Sequence, residues 1–178
     1  RQYSRCFPRR MLAEVMLDAV SQVTDVPTEF KNIVYSGSDI KPTDAYPRGT
    51  RAIQLQDSAV QSWFLQTFGR NQRRITCECE RSDEPSMVQA LHLSNGDTLN
   101  GKLSAPENRL SKWLAANMTN EEIISEIYLS CLARQPSAAE QAGLLAELQR
   151  ASTPEERRAT LEDVLWAVLS SREFLFNH

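Results

Sequence analysis

The sequence predicts a mainly α-helical protein: a multi-helix domain that ends in a three-helix bundle and contains one or two short β-strands. Three observations predict this class. Apolar residues recur at three- and four-residue spacing in several segments. Helix-capping patterns follow one another in the last third of the chain. Strand-like composition is confined to residues 51–55 and 75–80.

The first predicted helix covers residues 8–24. Arg9 and Arg10 lie at its N-terminal end, where a cation opposes the helix dipole, so we expect carboxylate or phosphate partners for them. One side of the helix is apolar and predicts burial, through Leu12, Val15, Met16, Ala19, Val20 and Val23.

The next part of the chain predicts a connection and a short helix. Residues 25–50 are rich in Pro, Gly, Ser, Thr and Asp, which indicates a long connection of the kind that is often functional or mobile. After the first strand, we expect a helix to begin at Asp57 or Ser58 and to end at Phe68, before Gly69.

The second strand, 75–80, places Cys77 and Cys79 on one face and Glu78 and Glu80 on the other, because side chains alternate along a strand. We expect the following helix to begin after Ser82 or Asp83.

That helix should stop at Asn95 and Gly96, with a left-handed residue there. Two short helices should follow, at 97–103 and 106–116.

The last third predicts the bundle. Each helix opens with a capping box, in which a Ser or Thr and a Glu three residues later bind each other's backbone N–H groups: Thr119 and Glu122, Ser137 and Glu140, Thr153 and Glu156. Short linkers make these helices antiparallel neighbours. Their apolar sides predict a core formed by Ile123, Ile124, Ile127, Tyr128, Cys131, Leu132, Leu144, Leu145, Leu148, Leu161, Val164, Leu165 and Val168, with Phe174 and Phe176 folded back onto it.

We expect a single domain over residues 1–178, subdivided at most into an irregular helical part, 1–104, and the bundle, 105–178. Its 41% hydrophobic and 24% charged residues are typical of a globular protein. A net charge of -3 gives no attraction to nucleic acid, and the apolar runs are too short to span a membrane. Without an initiator Met or a leader, the chain is expected to be a piece of a longer protein.

Four cysteines are candidate disulfide or thiol positions: Cys6, Cys77, Cys79 and Cys131. A disulfide between Cys77 and Cys79 would close a strained ring, so we favour pairing with Cys6 or Cys131, or inert buried thiols. One alternative is a soft-metal site completed by Cys6, Cys131 or His92, disfavoured because the usual ligand spacing of structural zinc sites is absent. A redox-active thiol is the other alternative.

The candidate functional cluster comprises Cys77, Glu78, Cys79, Glu80, Arg81, Glu84, His92 and Asn95. The nearby residues Arg70, Arg73, Arg74 and Arg81 favour an ion-pair network over paired catalytic carboxylates. His92 lies near a helix C-terminus, where the dipole favours a protonated imidazole. The sequence has no nucleophile elbow, P-loop, Rossmann or zinc-protease motif, so no catalytic, cofactor-binding or metal-binding residue is assigned.

Several stretches occur in a recognisable order from about Pro8 to His178: PRRMLAEVMLDAVSQVT, GTRAIQL, FLQTFGR, CECERSDEPSMVQALHLSNGDTLN, LARQPSAAE and LEDVLWAVLSSREFLFNH. Together they resemble the PSD-one family, the C-terminal domain of unknown function in large planctomycete and verrucomicrobial proteins. The resemblance implies an exported, extracytoplasmic protein with upstream domains that are often cytochrome-c-like. Any haem would belong to such a domain, and no cofactor is expected in this segment.

The leading hypothesis is a structural or interaction module that packs on upstream domains, or on a cell-surface protein or polysaccharide. Nucleic acid is not an expected partner, and the domain alone is not expected to be an enzyme. The alternative is part of an enzyme or glycan-binding site built around residues 77–84 and His92. Arginines and the 25–50 connection support the glycan version.

Overall fold

A computed structural model of the chain describes residues 9–35, 37–56, 59–70 and 86–177. It is mainly α-helical with a few very short strands, so the predicted fold class is confirmed. The helices are α1 Ala13–Thr24, α2 Trp63–Thr67, α3 Met87–Asn95, α4 Asp97–Leu103, α5 Arg109–Ala115, α6 Asn120–Leu132, α7 Ala138–Leu148, α8 Pro154–Leu169 and α9 Arg172–Leu175.

Two antiparallel pairs of strands accompany the helices. Strand β1 (Arg9–Arg10) pairs with β4 (Phe176–Asn177), which brings the two ends of the described chain together. Strands β2 (Asn32–Ile33) and β3 (Lys41–Pro42) form a small hairpin within the predicted 25–50 connection. The connection is therefore partly ordered by backbone pairing.

One buried apolar cluster joins the helices of both halves. Met16 and Leu17 of α1 are fully buried in it, and α1 packs against α2, α4 and α5. Helices α6, α7 and α8 pack against one another as the predicted bundle, and α8 also packs on α4. Phe174 is buried and Phe176 packs against the core, as the pattern predicts.

The first two capping boxes of the bundle are confirmed, at Thr119 and Ser137. The third box is only half formed. Thr153 accepts the Glu156 backbone N–H at 3.1 Å, but the Glu156 carboxylate accepts the N–H of Ser152 at 2.7 Å instead of that of Thr153. In either arrangement the Glu156 carboxylate satisfies one backbone N–H before α8, because it lies within reach of both Ser152 and Thr153.

The predicted strand at 51–55 is wrong: Ala52–Gln54 is a turn of 3-10 helix. The Asp18 carboxylate of α1 accepts the N–H groups of Ala52 at 2.6 Å and Ile53 at 3.1 Å. These two long-range hydrogen bonds hold residues 52–54 in a turn, although the composition of the segment favours a strand. The other predicted strand, 75–80, lies outside the described residues.

Three predicted helix starts are also wrong. Helix α1 begins at Ala13 because the residues before it join β1. Helix α2 begins at Trp63 with Ser62 as N-cap, since Val60 is held in a bridge to Ile33. Helix α5 begins after its N-cap Asn108.

Helix α3 begins after Ser86, later than predicted. Ser86 and Gln89 form a capping box there, and the predicted caps Ser82 and Asp83 lie outside the described residues. Helix α3 ends at Asn95, as predicted, but without the predicted left-handed residue, because Gly96 has φ -74° and ψ 137°. Helix α4, by contrast, has the predicted bounds.

Candidate functional site

Most of the candidate cluster lies outside the described residues: Cys77, Glu78, Cys79, Glu80, Arg81 and Glu84. So does Cys6, and so do the arginines at 73 and 74. Asn95 is described as the last residue of α3. His92 and Cys131 are described with their side chains and belong to different helices, α3 and α6.

His92 lies in the last turn of α3, against two aromatic rings of the α2 segment. Its ring meets those of Phe64 and Phe68 edge-on, with centroids 5.5 and 5.9 Å apart. Burial lowers the pKa of His92, and the Asp97 carboxylate only partly opposes this shift. Desolvation thus acts against the protonated form that the helix dipole was expected to favour.

The Nε2 atom of His92 is buried and has no hydrogen-bond partner among the described residues. A neutral imidazole has one nitrogen that can accept a proton or bind a metal. An imidazole is one of the groups that the alternative functional hypothesis requires.

Gly96 holds the end of α3 close to the start of α4. Its N–H donates to the His92 carbonyl oxygen at 2.8 Å. A Cβ atom at Gly96 would lie 2.2 Å from that oxygen, so a larger residue cannot fit without moving the backbone. Glycine is required here for close approach and not for a positive φ.

A polar network connects α3 to β1 and α2 beside His92. Arg10 donates to the side-chain oxygen of Gln89 and to the Phe68 carbonyl oxygen, the latter at 3.2 Å. Gln89 donates in turn to the Thr67 carbonyl oxygen at 3.0 Å. The sequence predicted an anionic partner for Arg10. It did not predict these neutral acceptor oxygens, which belong to residues far away in the sequence.

An ion pair of Arg70 and Glu14 is close to this network. Both side chains are almost fully buried, at 8% and 9% exposure, with Arg70 Nε 3.9 Å from Glu14 Oε1. A buried charge is costly without a partner, so this pair fixes the position of Arg70 relative to α1.

Cys131 is a free thiol on α6. Burial raises its pKa to about 12. A thiol with so high a pKa stays protonated at neutral pH and is a poor nucleophile and metal ligand.

Helix α3 has an unusual exposed face. Met87, Val88 and Leu91 are 77%, 55% and 58% exposed, and Trp63 at the start of α2 is 68% exposed. The three α3 residues fall within an arc of about 100° around the helix, away from buried Gln89. Surface helices normally present polar residues to water, so these side chains form a candidate contact surface.

Sequence reasoning missed a charged cluster at the end of the bundle. The Arg134 guanidinium binds the Glu140 carboxylate with two bonds of 3.0 and 2.9 Å, and Glu173 with two of 2.6 and 2.8 Å. It also lies 5.2 Å from the ring centre of Tyr128. The hydrogen bonds that Glu140 accepts, chiefly the one from Arg134, lower the pKa of Glu140 to about 2.

Lys102 was missed as well. Its side chain is buried on α4, and its Nζ donates to the Val26 carbonyl oxygen at 2.5 Å. Desolvation lowers the pKa of Lys102 to about 8. Nothing in the local sequence DTLNGKL signals this, because burial depends on the packing of α4 against α1.

Among the described residues, no helix is both long and apolar enough to cross a membrane. The chain matches the family model PSD1, described as "Protein of unknown function (DUF1553)", over residues 1–148 of its 178. No curated protein and no solved structure matches it.

Proposed function

The chain belongs to the PSD1 family of proteins of unknown function, and on that premise we propose that it is an interaction module rather than a catalyst. In this proposal, it forms the C-terminal part of a larger exported protein and works outside the cytoplasm. The exposed side chains Met87, Val88 and Leu91 of α3, with Trp63 of α2, are called the α2–α3 face. In the proposal, this face packs on a preceding domain of the same polypeptide. No cofactor belongs to this segment, and any haem belongs to the preceding domain.

The exposed apolar face of α3 carries this proposal. Burying a large apolar side chain contributes about 1.5–3 kcal/mol, so Met87, Val88 and Leu91 together could stabilise a domain interface substantially. Helix α3 is anchored on the α2 segment through Gln89 and His92. An anchored helix presents its outer face without first having to order.

The resemblance to proteins with upstream domains supports a partner within the same polypeptide. A partner of this kind is present at a high effective concentration, so a small apolar face is sufficient to hold it. A cell-surface protein or polysaccharide is the external partner that the same hypothesis allows.

A photo-crosslinking experiment in the full-length protein tests this proposal. Benzoylphenylalanine placed at Leu91 should crosslink to the preceding domain, as identified by mass spectrometry. The matched control is the same probe at Ile40, which is 55% exposed but belongs to the connection between β2 and β3. Equal crosslinking from the two positions, or none from Leu91, would refute docking through α3.

The alternative, an enzyme or glycan-binding site around residues 77–84, is favoured by one observation: the buried Nε2 atom of His92 has no hydrogen-bond partner among the described residues, and burial lowers the pKa of this imidazole. A His92→Phe variant keeps an aromatic ring against Phe64 and Phe68 but removes both nitrogens. If this alternative holds, the variant should fold normally and lose binding of Zn²⁺ or of a sulfated glycan such as heparin. Equal binding of these ligands by the wild type and the variant would eliminate a role for His92.

A further inference from the structure

Helices α7 and α8 enclose a groove that is separate from the α2–α3 face. Two parts of it, about 500 and 210 Å³ in volume, share Leu144, Val164 and Ala167 and therefore follow a single seam. Along α8 the lining residues extend from Glu156 to Val168. That distance is about 18 Å at the rise of an α-helix.

The floor of this α7–α8 groove is apolar. Val164 and Val168 are each 7% exposed and lie at its base, with Leu144 partly buried beside them. Ala167 is exposed between these larger residues, and its small side chain gives the groove its depth. A seam of this length matches about three turns of a helix laid along it.

Negative charge dominates the sides of the groove. Arg150 pairs with Glu147 at 2.8 Å, and Arg134 is bound by two carboxylates, so both cations are already neutralised within the chain. Glu156 and Asp163 line the groove without an ion-pair partner among the described residues. Lining carboxylates outnumber guanidinium groups by five to two: Glu140, Glu147, Glu156, Asp163 and Glu173 against Arg134 and Arg150.

We propose that this groove binds a cationic amphipathic helix of a partner protein, about three turns long. The apolar side of that helix would cover the floor at Val164 and Ala167, and its Lys or Arg residues would approach Glu156 and Asp163. An acidic or neutral helix would leave these carboxylates without a cationic partner at the interface, which disfavours it. The surface is distinct from α2–α3, so either proposal can fail without the other.

Defined peptides provide the test. The full chain is titrated by calorimetry with a peptide of about 14 residues that has Leu at i, i+3, i+4 and i+7 positions and Lys on its flanks. There are two comparison peptides. The first has Glu in place of Lys on its flanks. The second has the same composition as the Lys peptide but in scrambled order. We expect the Lys helix to bind at least roughly tenfold more tightly than either comparison, with an affinity that falls as salt is added.

Variants of the chain locate the binding. Ala167→Trp should fill the groove and abolish binding, and Asp163→Lys should weaken it roughly tenfold. Glu155→Lys is the matched control, since Glu155 is exposed on α8 but does not line the groove, and its affinity should stay within about twofold of the wild type.

Three results would overturn the proposal: no binding of the Lys helix, equal affinity for all three peptides, or an unchanged affinity in Asp163→Lys. Circular dichroism checks that each variant is folded. Because Asp163 is an exposed side chain, its variant keeps the test decisive even if Ala167→Trp disturbs the helix packing.

Discussion

Single residues of this protein take their chemical properties from packing that their sequence neighbours do not reveal. His92 lies on a helix that the apolar pattern of the sequence predicts, and the helix dipole alone predicts a protonated imidazole ring. Its actual neighbours, Phe64 and Phe68, belong to helix α2 and its C-cap, more than twenty residues earlier. Lys102 is similar, because its buried amine meets the carbonyl oxygen of Val26. Sequence patterns located these residues in helices but could not predict their environment.

Replacing Lys102 by Met should stabilise the protein at pH 7. The folded pKa of Lys102 is about 8, below its ordinary 10.5, so burial of the ammonium costs stability whenever the amine is charged. We expect the free energy of unfolding in urea to rise by about 1–3 kcal/mol in the variant. In the wild type, stability should increase from pH 8 to 10.5, and the variant should lack this increase. A variant less stable than the wild type at pH 7 would contradict the cost of this buried charge.

The His92 ring should make folding sensitive to mild acid. Its folded pKa is lowered by burial, so the unfolded chain binds the proton more readily. Its contribution to stability is therefore complete above pH 6.5 and is lost as the pH falls through the folded pKa. Urea unfolding from pH 7.5 to 5 should show this loss in the wild type and a smaller one in His92→Phe. Identical pH profiles would exclude His92 as the titrating group.

At the scale of elements, local signals predicted helix boundaries well where the partners are local. The Ser137 capping box and the bounds of α4 are examples. Prediction failed where a distant group intervened, as at residues 51–55, whose 3-10 turn depends on Asp18. The start of α2 similarly depends on pairing of Val60 with Ile33. For the candidate site, the sequence located His92 on a helix but not the exposed apolar face of that helix.

Asp18 should be a strong determinant of the turn at residues 52–54. Removing its carboxylate leaves the N–H groups of Ala52 and Ile53 without their acceptor. We expect Asp18→Ala to lower the free energy of unfolding by about 1–2 kcal/mol. Asp18→Asn keeps one acceptor oxygen and should lose less. An Asp18→Ala variant as stable as the wild type would show that the turn forms without this bond.

For the whole molecule, the bundle and the N-terminal helices share one core, and the Arg134 cluster ties the α6–α7 linker to α9. The sequence predicted the helices of the bundle from their capping boxes. It could not predict this cluster, because Arg134 and Glu173 are far apart in the chain and meet only after the bundle has closed.

The Arg134 cluster should make the bundle sensitive to strong acid. The folded pKa of Glu140 is about 2, so its contribution is complete above its ordinary pKa of 4.5 and is lost as the pH falls toward 2. Glu140→Gln should melt a few degrees lower than the wild type at pH 7, and the difference should shrink at pH 3. Glu121→Gln, an exposed change on α6, is the control. A pH-independent difference would assign the effect to packing and not to charge.

The interaction surface on α2–α3 can be tested without any substitution, by hydroxyl-radical footprinting of the full-length protein. Met87 and Trp63 are reactive side chains that are 77% and 68% exposed in this chain, and Tyr35, at 53%, provides an internal reference outside the face. If α3 docks on a preceding domain, Met87 and Trp63 should be oxidised several-fold more slowly than their exposure predicts, while Tyr35 reacts as an exposed tyrosine. Oxidation of Met87 and Trp63 at the rates of freely exposed side chains would contradict the proposed interface.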